Sequence, residues 1–287
     1  MVGLTEAYRY CERLARSHYE NFPVASLLIP RGMRKHIYAI YAFCRHVDDL
    51  GDEAEGDREA RLLALALWEE ELERCYAGRP SQPIMVALAE TIREFRIPKE
   101  PFQKLIEANR LDQRKGRYRT YEELLHYCDH SANPVGRLFL HLFGYQDEER
   151  LALADKTCTA LQLTNFWQDI ALDLGKGRIY IPQEDLARFG YSEEELEHHL
   201  VNESFRRLME FELSRTRALF DQGLRLVRLV DGRLKVAIEL FSRGGLAILK
   251  KIEEADYDVF RRRPRLSKAE KLGLLLRALL RPNAHGN

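Results

Sequence analysis

Polar side chains recur at helical spacing around residue 45. Tyr38, Tyr41, Arg45, Asp48 and Asp52 are separated by steps of three and four, so a helix would carry them on one stripe. Two carboxylates four residues apart repel each other unless a cation lies between them. Arg45, one turn away, supplies one positive charge, or it binds an oxygen of a diphosphate instead. The stripe therefore indicates a metal site. A solvated acidic helix end is the alternative, because further acidic residues follow closely.

A second stripe lies in a strongly apolar segment. Gln162, Asn165, Asp169 and Asp173 again follow helical spacing. A polar stripe on an otherwise hydrophobic helix has to line a cavity or pair with other groups. Two such D-x-x-x-D helices facing each other would form a nest of hard oxygen ligands, which suits Mg²⁺. A structural network of the aspartates with arginines is the alternative. The apolar residues that we expect on the rest of this helix are Leu161, Leu163, Phe166, Trp167, Ile170 and Leu172.

The elements that position these stripes are predicted to be helices. A helix over 57–76 begins at an Asp cap, and capping boxes open further helices at Thr120, Ser192 and Ser267. The short RIYIP stretch at 178–182 is the one candidate strand. We therefore predict an all-α protein, with helices of about 15 to 28 residues packed as one bundle.

Composition narrows the class of protein. The chain has 287 residues, 45% hydrophobic and 31% charged, with a formal net charge of zero. That balance gives no general reason to expect nucleic acid as a partner. The five cysteines are scattered without a C-x-x-C pair, so we expect reduced thiols, a cytoplasmic location and no zinc site. We expect no signal peptide, and no apolar run approaches the roughly 20 residues that a membrane span needs.

The ordered set of motifs resembles the squalene/phytoene synthase family over nearly the whole chain. The resemblance implies an all-α, isoprenoid-synthase-type bundle with a central cavity, one domain over residues 1–287. It also implies Mg²⁺ and ionisation of an allylic or cyclopropylcarbinyl diphosphate. The motifs are Arg45-x-x-Asp48-x-x-x-Asp52, Arg117-Tyr118, Tyr127-Cys128, Ala132-x-x-Val135-Gly136, Leu161-Gln162-Leu163-Thr164-Asn165, Asp169-x-x-x-Asp173 and Gly177-Arg178-x-Tyr180-x-Pro182.

The resemblance also implies roles for residues around the diphosphate. Mg²⁺ would neutralise the departing pyrophosphate as a Lewis acid, and guanidinium groups would bind phosphate oxygens through their bidentate geometry. The metal ligands would be Asp48, Asp52, Asp169 and Asp173. The substrate-binding residues would be Arg45, Gln162, Asn165, Arg178 and Tyr257.

The carbocation left by ionisation needs a dry pocket with apolar or aromatic walls. The resemblance places Tyr127 near the reacting carbons, and Tyr41, Phe22 and Tyr257 are further candidates. For each of these rings, ordinary core packing is the alternative. His18 would stay near the diphosphate or help to position water, with an ordinary core or surface histidine as the alternative.

Several departures from the family pattern resemble its bacterial hydroxysqualene synthase branch, in the hopanoid pathway. Gln168 stands where many members carry arginine, Asn133-Pro134 replaces a glycine-containing motif, and residues 18–26 read HYENFPVAS. That branch converts presqualene diphosphate to hydroxysqualene without NADPH. One alternative is a squalene, dehydrosqualene or phytoene synthase that couples two prenyl diphosphates. Another is a non-catalytic scaffold, which would have no chemical reason to keep paired aspartates.

The segment 266–287 has the pattern of an amphipathic helix. Leucines recur on one face at 272, 275, 276 and 279, and basic residues are available to the other. Such a helix can lie in the headgroup layer and bind anionic lipid. We therefore consider peripheral contact with the inner face of the membrane, with a terminal helix packed on the core as the alternative.

Overall fold

The computed structural model describes residues 2–17, 30–52 and 57–280, which are almost entirely helical and include no named strand. The predicted all-α class is confirmed. Short 3-10 segments cover Arg31–Met33 and Leu224–Arg228. The helices are α1 (Leu4–Ser17), α2 (Arg34–Asp52), α3 (Arg58–Tyr76), α4 (Pro83–Phe95), α5 (Glu100–Arg114), α6 (Tyr121–Ser131), α7 (Asn133–Leu142), α8 (Glu148–Gln168), α9 (Ile170–Gly175), α10 (Gln183–Phe189), α11 (Glu193–Glu197), α12 (Glu203–Gly223), α13 (Gly232–Glu254) and α14 (Lys268–Leu280).

These helices form two compact units. The first contains Met1–Lys115 and Asp129–Ala152, and the second contains Gly116–Cys128 and Leu153–Asn287. The first stripe of polar residues belongs to the first unit and the second stripe to the second. The single-domain arrangement stays a prediction.

In the first unit, α2 is packed from several sides. It contacts α1, α4 and α5, and its residue Phe43 is fully buried. The Phe43 ring meets the edge of Phe102 at a centroid distance of 5.0 Å and lies 6.0 Å from the indole of Trp68. Close packing of this kind removes apolar surface from water and leaves little freedom to the helix. The helix that carries Asp48 is therefore held by its apolar face.

In the second unit, α8 is locked to α12 by a buried tryptophan. The Trp167 indole nitrogen donates a hydrogen bond to the Thr216 hydroxyl over 2.9 Å, and both residues are fully buried. Further along α12, the Phe220 ring lies so close to Gly245 of α13 that an added Cβ there would be 2.3 Å from it. Such contacts require the helices to keep one register. They position the helix that leads to Asp169.

The second unit also buries a cluster of charged groups. The Arg215 guanidinium contacts the carboxylates of Asp185 (2.8 Å) and Glu212 (2.5 Å), and it lies 3.6 Å from the ring centroid of Tyr121. Glu212 is fully buried and Asp185 nearly so. Burial raises the pKa of Glu212 to about 8, with Arg215 acting in the opposite direction. At neutral pH Glu212 therefore keeps its proton, and the charges of Arg215 and Asp185 balance.

Local signals placed the helix starts well, and the strand prediction was wrong. Asp57 accepts a hydrogen bond from the Ala60 amide, and the capping boxes at Ser192 and Ser267 are formed. RIYIP instead forms only an isolated bridge between Arg117 and Ile179, because no neighbouring segment continues the pairing. The predicted length of about 15 to 28 residues also fails for α9, α10 and α11, which have 6, 7 and 5 residues.

All five cysteines are free thiols. Burial raises the pKa of Cys11 to about 12 and that of Cys75 to about 12. Over the described part of the chain, we find no helix with the length and apolar character to cross a bilayer.

Candidate active site

The first stripe forms as predicted on α2. Ile40, Ala42 and Phe43 are buried on the packed side of this helix, while Tyr41 and Arg45 are partly accessible. Burial raises the pKa of Tyr41, so its phenol is neutral at physiological pH.

Arg45 does not lie between the two motif aspartates. Its guanidinium pairs with Asp49, 2.5 Å away and one turn along the helix. Sequence reasoning gave Asp49 no role. Its charge is engaged by Arg45, at the foot of the Asp48/Asp52 pair.

Asp48 is held by a residue from another helix. The side-chain amide of Asn109, on α5, donates a hydrogen bond to the Asp48 carboxylate over 3.3 Å. The Asp48 side chain stays accessible to solvent, yet the protein packed around it raises its pKa to about 6, and the charges of Asp52 and Asp49 add to the rise. Because the group is exposed by surface area, we use the direction of this shift and build no energy on it. The direction shows that the Asp48 anion lacks compensating positive charge.

The contact between α2 and α5 depends on a glycine. An added Cβ on Gly51 would lie 2.2 Å from the Asn109 side-chain oxygen, so only glycine permits this approach. Next to it, the Gln113 amide donates to the Gly51 carbonyl over 2.8 Å. Asn109 and Gln113 are site residues that sequence reasoning missed. Their i, i+4 spacing on a helix with a buried face was the available signal.

Gly51→Ala is expected to destabilise the protein by about 1–3 kcal/mol, because the buried Asn109 side chain must move away from Asp48. Urea unfolding of the two proteins measures this. Gly244→Ala is the control, since a Cβ there meets nothing within 4 Å and alanine favours a helix interior. Equal stability of the Gly51 variant and the native protein would show that the contact is slack.

The second stripe departs from a continuous helix at its first aspartate. Asp169 has φ −111° and ψ 15°, so α8 ends before it and α9 begins after it. The backbone bonds on either side persist, because the Asp169 amide donates to the Asn165 carbonyl and the Asp173 amide to the Asp169 carbonyl, each over 2.9 Å. Leu163, Phe166, Trp167 and Ile170 are buried as predicted. Leu172 is exposed, contrary to prediction, because it follows the break.

Asp169 is engaged by an arginine that sequence reasoning did not place here. The Arg263 guanidinium binds both Asp169 oxygens, one of them through its terminal nitrogen at 2.8 Å. The neighbouring Gln168 is buried and donates from its side-chain amide to the Pro264 carbonyl. The interpretation of paired aspartates and arginines thus holds for this one carboxylate.

The residues after Asp173 form a tight loop beside it. The Arg178 amide donates to the Asp173 carbonyl over 2.8 Å, after Gly177 has turned the chain at φ +72°. Asp173 and Arg178 also line a cavity of about 10 Å³, enough for about one water molecule and far too small for a prenyl chain. Upstream on the stripe, Gln162 is half-buried and Asn165 is exposed.

Tyr127 belongs to a group of four rings in the second unit. Its centroid lies 5.7 Å from Tyr118, 5.8 Å from Tyr180 and 6.1 Å from Phe166, and Phe166 stacks on Tyr180 at 3.8 Å. Sequence reasoning named only Tyr127 for this role, although the other three lie in or beside quoted motifs. Tyr257, also proposed for the cation pocket, lies in the turn after α13, where Glu210 and Glu253 help to raise its pKa. His18 and Phe22 lie outside the described residues.

The donor set fits Mg²⁺. Mg²⁺ prefers hard oxygen ligands, is usually held by one or two carboxylates, and completes its shell with water and phosphate oxygens. Each motif supplies one such pair, and the raised pKa of Asp48 marks an anion that a divalent cation would stabilise. Among the described residues, no three His, Cys, Asp or Glu side chains converge into a ready-made metal cage.

Known proteins resemble the chain along nearly its whole length. The model of the squalene/phytoene synthase family matches residues 15–270. The 15-cis-phytoene synthase of Synechococcus elongatus is 35% identical over 295 residues, covering 98% of this chain and 95% of that protein. The solved squalene synthase HpnC from Alicyclobacillus acidocaldarius is 50% identical with a TM-score of 0.86, covering 88% of this chain and 95% of that one. A dehydrosqualene synthase solved with a ligand is 25% identical with a TM-score of 0.86, covering 96% of each chain.

Proposed function

We propose that this chain, which belongs to the squalene/phytoene synthase family, is a hydroxysqualene synthase. Members of the family act on prenyl diphosphates. In the proposed reaction, the C–O bond of presqualene diphosphate breaks and pyrophosphate leaves with the electron pair. The cyclopropylcarbinyl cation rearranges, water attacks it, and loss of a proton gives hydroxysqualene. No electrons are exchanged with a partner, so NADPH is not required.

The aspartate pairs would carry the leaving-group chemistry. In the first unit, Asp48 and Asp52 would hold Mg²⁺, with Asn109 fixing one carboxylate. In the second unit, Asp169 and Asp173 would do the same. Bound Mg²⁺ supplies Lewis-acid stabilisation of the pyrophosphate charge.

Positively charged and polar side chains would orient the diphosphate. The roles proposed for Arg45 and Arg178 are contacts with its oxygens, which Arg45 takes by exchanging its partner Asp49. Gln162 and Asn165 follow on the same stripe as Asp169. They would contribute hydrogen bonds to the substrate.

The four-ring group would stabilise the cation. Ring faces attract positive charge by their quadrupole, and Tyr127, Tyr118, Tyr180 and Phe166 are packed within 6.1 Å of a neighbour. Tyr41, neutral because of its raised pKa, adds a polar aromatic edge in the first unit.

The observation that carries the hydroxysqualene assignment is Gln168. Where many members of the family have arginine, this chain has a buried neutral amide committed to the Pro264 carbonyl. A site without that cation is less suited to the first half-reaction, in which farnesyl diphosphate also loses pyrophosphate. The 50% identity to HpnC supports assignment to the same branch of the family.

The second candidate is head-to-head coupling of two prenyl diphosphates, as the names of the relatives indicate. The phytoene synthase, the dehydrosqualene synthase and HpnC, which is itself described as a squalene synthase, all favour it. A non-catalytic scaffold is less favoured, because both aspartate motifs are intact.

Products distinguish these functions. We expect presqualene diphosphate and Mg²⁺ to yield an alcohol whose oxygen comes from solvent, so a reaction in ¹⁸O-labelled water should give a product two mass units heavier. NADPH should change neither rate nor product. Squalene formed only with NADPH, or a product made from farnesyl or geranylgeranyl diphosphate alone, would establish coupling instead. No product under any condition would support a scaffold.

We further propose that α14 attaches the enzyme peripherally to an anionic membrane, where a nearly insoluble triterpene must go. Leu272 and Leu276, one turn apart, are 56% and 48% exposed, with the exposed Lys268, Lys271 and Arg277 on the same helix. Basic amphipathic helices of this kind bind anionic lipid surfaces. The other end of the predicted segment, residues 281–287, lies outside the described residues.

Vesicle co-sedimentation tests this attachment. Leu272→Ser with Leu276→Ser is expected to lower binding to vesicles containing anionic lipid severalfold at low salt. The control pair is Leu63→Ser with Leu67→Ser, which changes two similarly exposed leucines of α3. Equal losses in the two pairs, or no binding by the native protein, would remove the membrane role from α14.

A further inference from the structure

Arg263 holds the first aspartate of the second motif with two nitrogens. Its Nε and terminal nitrogen bind the two Asp169 oxygens, so the whole carboxylate edge is covered. The hydrogen bonds to Asp169 raise the pKa of Arg263, and the charge of Asp173 adds to this effect. The guanidinium therefore lies in the field of both motif carboxylates. It is the one cation that the described structure shows bonded to Asp169.

The segment that carries Arg263 is fixed on both sides of it. Upstream, the Phe260 ring lies 4.8 Å from the His199 ring and 5.2 Å from Phe205, and Val259 is buried. Downstream, the Gln168 amide holds the Pro264 carbonyl. Gln168 precedes Asp169 in the chain, so one dipeptide binds two consecutive residues of the segment. This arrangement presents Arg263 to Asp169 far more specifically than a solvated surface arginine would be.

The pair is placed where exchange of partners is feasible. The side chain of Arg263 is 34% exposed and that of Asp169 is 21% exposed, so solvent and ligands reach both groups. A charge-assisted bidentate bond is strong, but carboxylates and phosphates are alternative partners for the same guanidinium fork. Asp169 can accept a divalent cation only if Arg263 gives up at least one of its oxygens.

We infer that Arg263 is a positioning residue that competes with divalent metal for Asp169 and passes to the diphosphate when metal binds. The inference rests on the proposed function, because it takes Asp169 as a metal ligand. In the exchange, the cation on Asp169 is replaced by another cation, and the released guanidinium meets a new anion. Metal and diphosphate then favour each other's binding, and linkage makes that coupling equal in both directions.

The test measures binding without turnover, with Mn²⁺ as the metal and inorganic pyrophosphate as the anion. Free Mn²⁺ is followed by its electron paramagnetic resonance signal, with and without pyrophosphate, for the native protein and for Arg263→Gln. In Arg263→Gln we expect Mn²⁺ alone to bind severalfold more tightly, because its competitor is gone. The enhancement of Mn²⁺ affinity by pyrophosphate is expected to fall by about tenfold, a coupling of ordinary size.

Two further variants separate the possible failures. Arg261→Gln changes an arginine two residues away that is 91% exposed and pairs with Asp258, and it should behave like the native protein. Asp169→Asn should weaken Mn²⁺ binding. If Asp169→Asn weakens it while Arg263→Gln leaves both quantities unchanged, or weakens Mn²⁺ binding alone and with pyrophosphate by the same factor, the exchange is refuted and the metal assignment stands. If Asp169→Asn has no effect on Mn²⁺ binding, the assignment of Asp169 as a metal ligand fails, and the exchange fails with it.

Discussion

Asp48→Asn or Asp169→Asn is expected to abolish turnover while the helical fold survives. Each change keeps the shape of the side chain and removes one unit of negative charge from a proposed metal ligand. Loss of leaving-group stabilisation of about 3–4 kcal/mol corresponds to a rate lower by about two to three orders of magnitude. Single-turnover assays with presqualene diphosphate at saturating Mg²⁺ measure the loss, and circular dichroism checks the fold.

The matched control is Asp221→Asn, which removes the same charge from an exposed position near the end of α12. It should retain native activity. Near-native rates in either motif variant would show that the corresponding aspartate pair does not hold the metal. A loss of helical signal in Asp169→Asn would instead assign that residue a structural role through Arg263.

Arg215→Met is expected to be the most destabilising single change in the second unit, by about 3–5 kcal/mol. The substitution keeps much of the packing volume of the stem and removes the charge that balances Asp185. A buried carboxylate without its partner keeps the full cost of leaving water. The free energy of unfolding in urea, measured at pH 7, reports the effect.

A second substitution should recover much of this loss. Arg215→Met with Asp185→Asn leaves no uncompensated charge, so we expect it to be clearly more stable than Arg215→Met alone. Glu212→Gln in the native background should cost little, because Glu212 is protonated at neutral pH. If the double variant is no more stable than the single one, Arg215 acts mainly by packing on Tyr121.

The same cluster gives a sign to the dependence of stability on pH. The pKa of Glu212 rises from 4.5 to about 8 in the folded chain, so between these pH values the unfolded chain binds fewer protons. The Glu212 contribution therefore lowers stability as pH rises through that window, and Glu212→Gln should remove it. Asp185, Arg215 and Tyr121 are the charged and titratable groups that face it.

The helices and the two polar stripes were accessible to sequence reasoning because both depend on local periodicity. A cap such as Asp57 acts on an amide three residues away, and the steps from Arg45 to Asp52 are fixed by the pitch of one helix. The family resemblance rested on motif order, which is also written along the chain. For these features the pattern of residue types sufficed.

The partners of the stripe residues were not accessible in the same way. Asn109 is 61 positions from Asp48, and Arg263 is 94 positions from Asp169. Nothing local distinguishes Arg263 from Arg261 and Arg262, since tertiary packing decides which of the three meets Asp169. The break at Asp169 was missed for a similar reason, because its residue types continue a helical pattern.

The chain contains two tryptophans, Trp68 on α3 in the first unit and Trp167 on α8 in the second. Both are buried, so each indole should emit at short wavelength in the native state and shift to the red when its surroundings open. Intrinsic fluorescence thus contains one chromophore per unit. With Trp68→Phe and Trp167→Phe, the denaturation midpoints of the two units can be recorded separately. Coincident midpoints would mean that the chain unfolds as one cooperative body, and separate midpoints would reveal a half-folded intermediate.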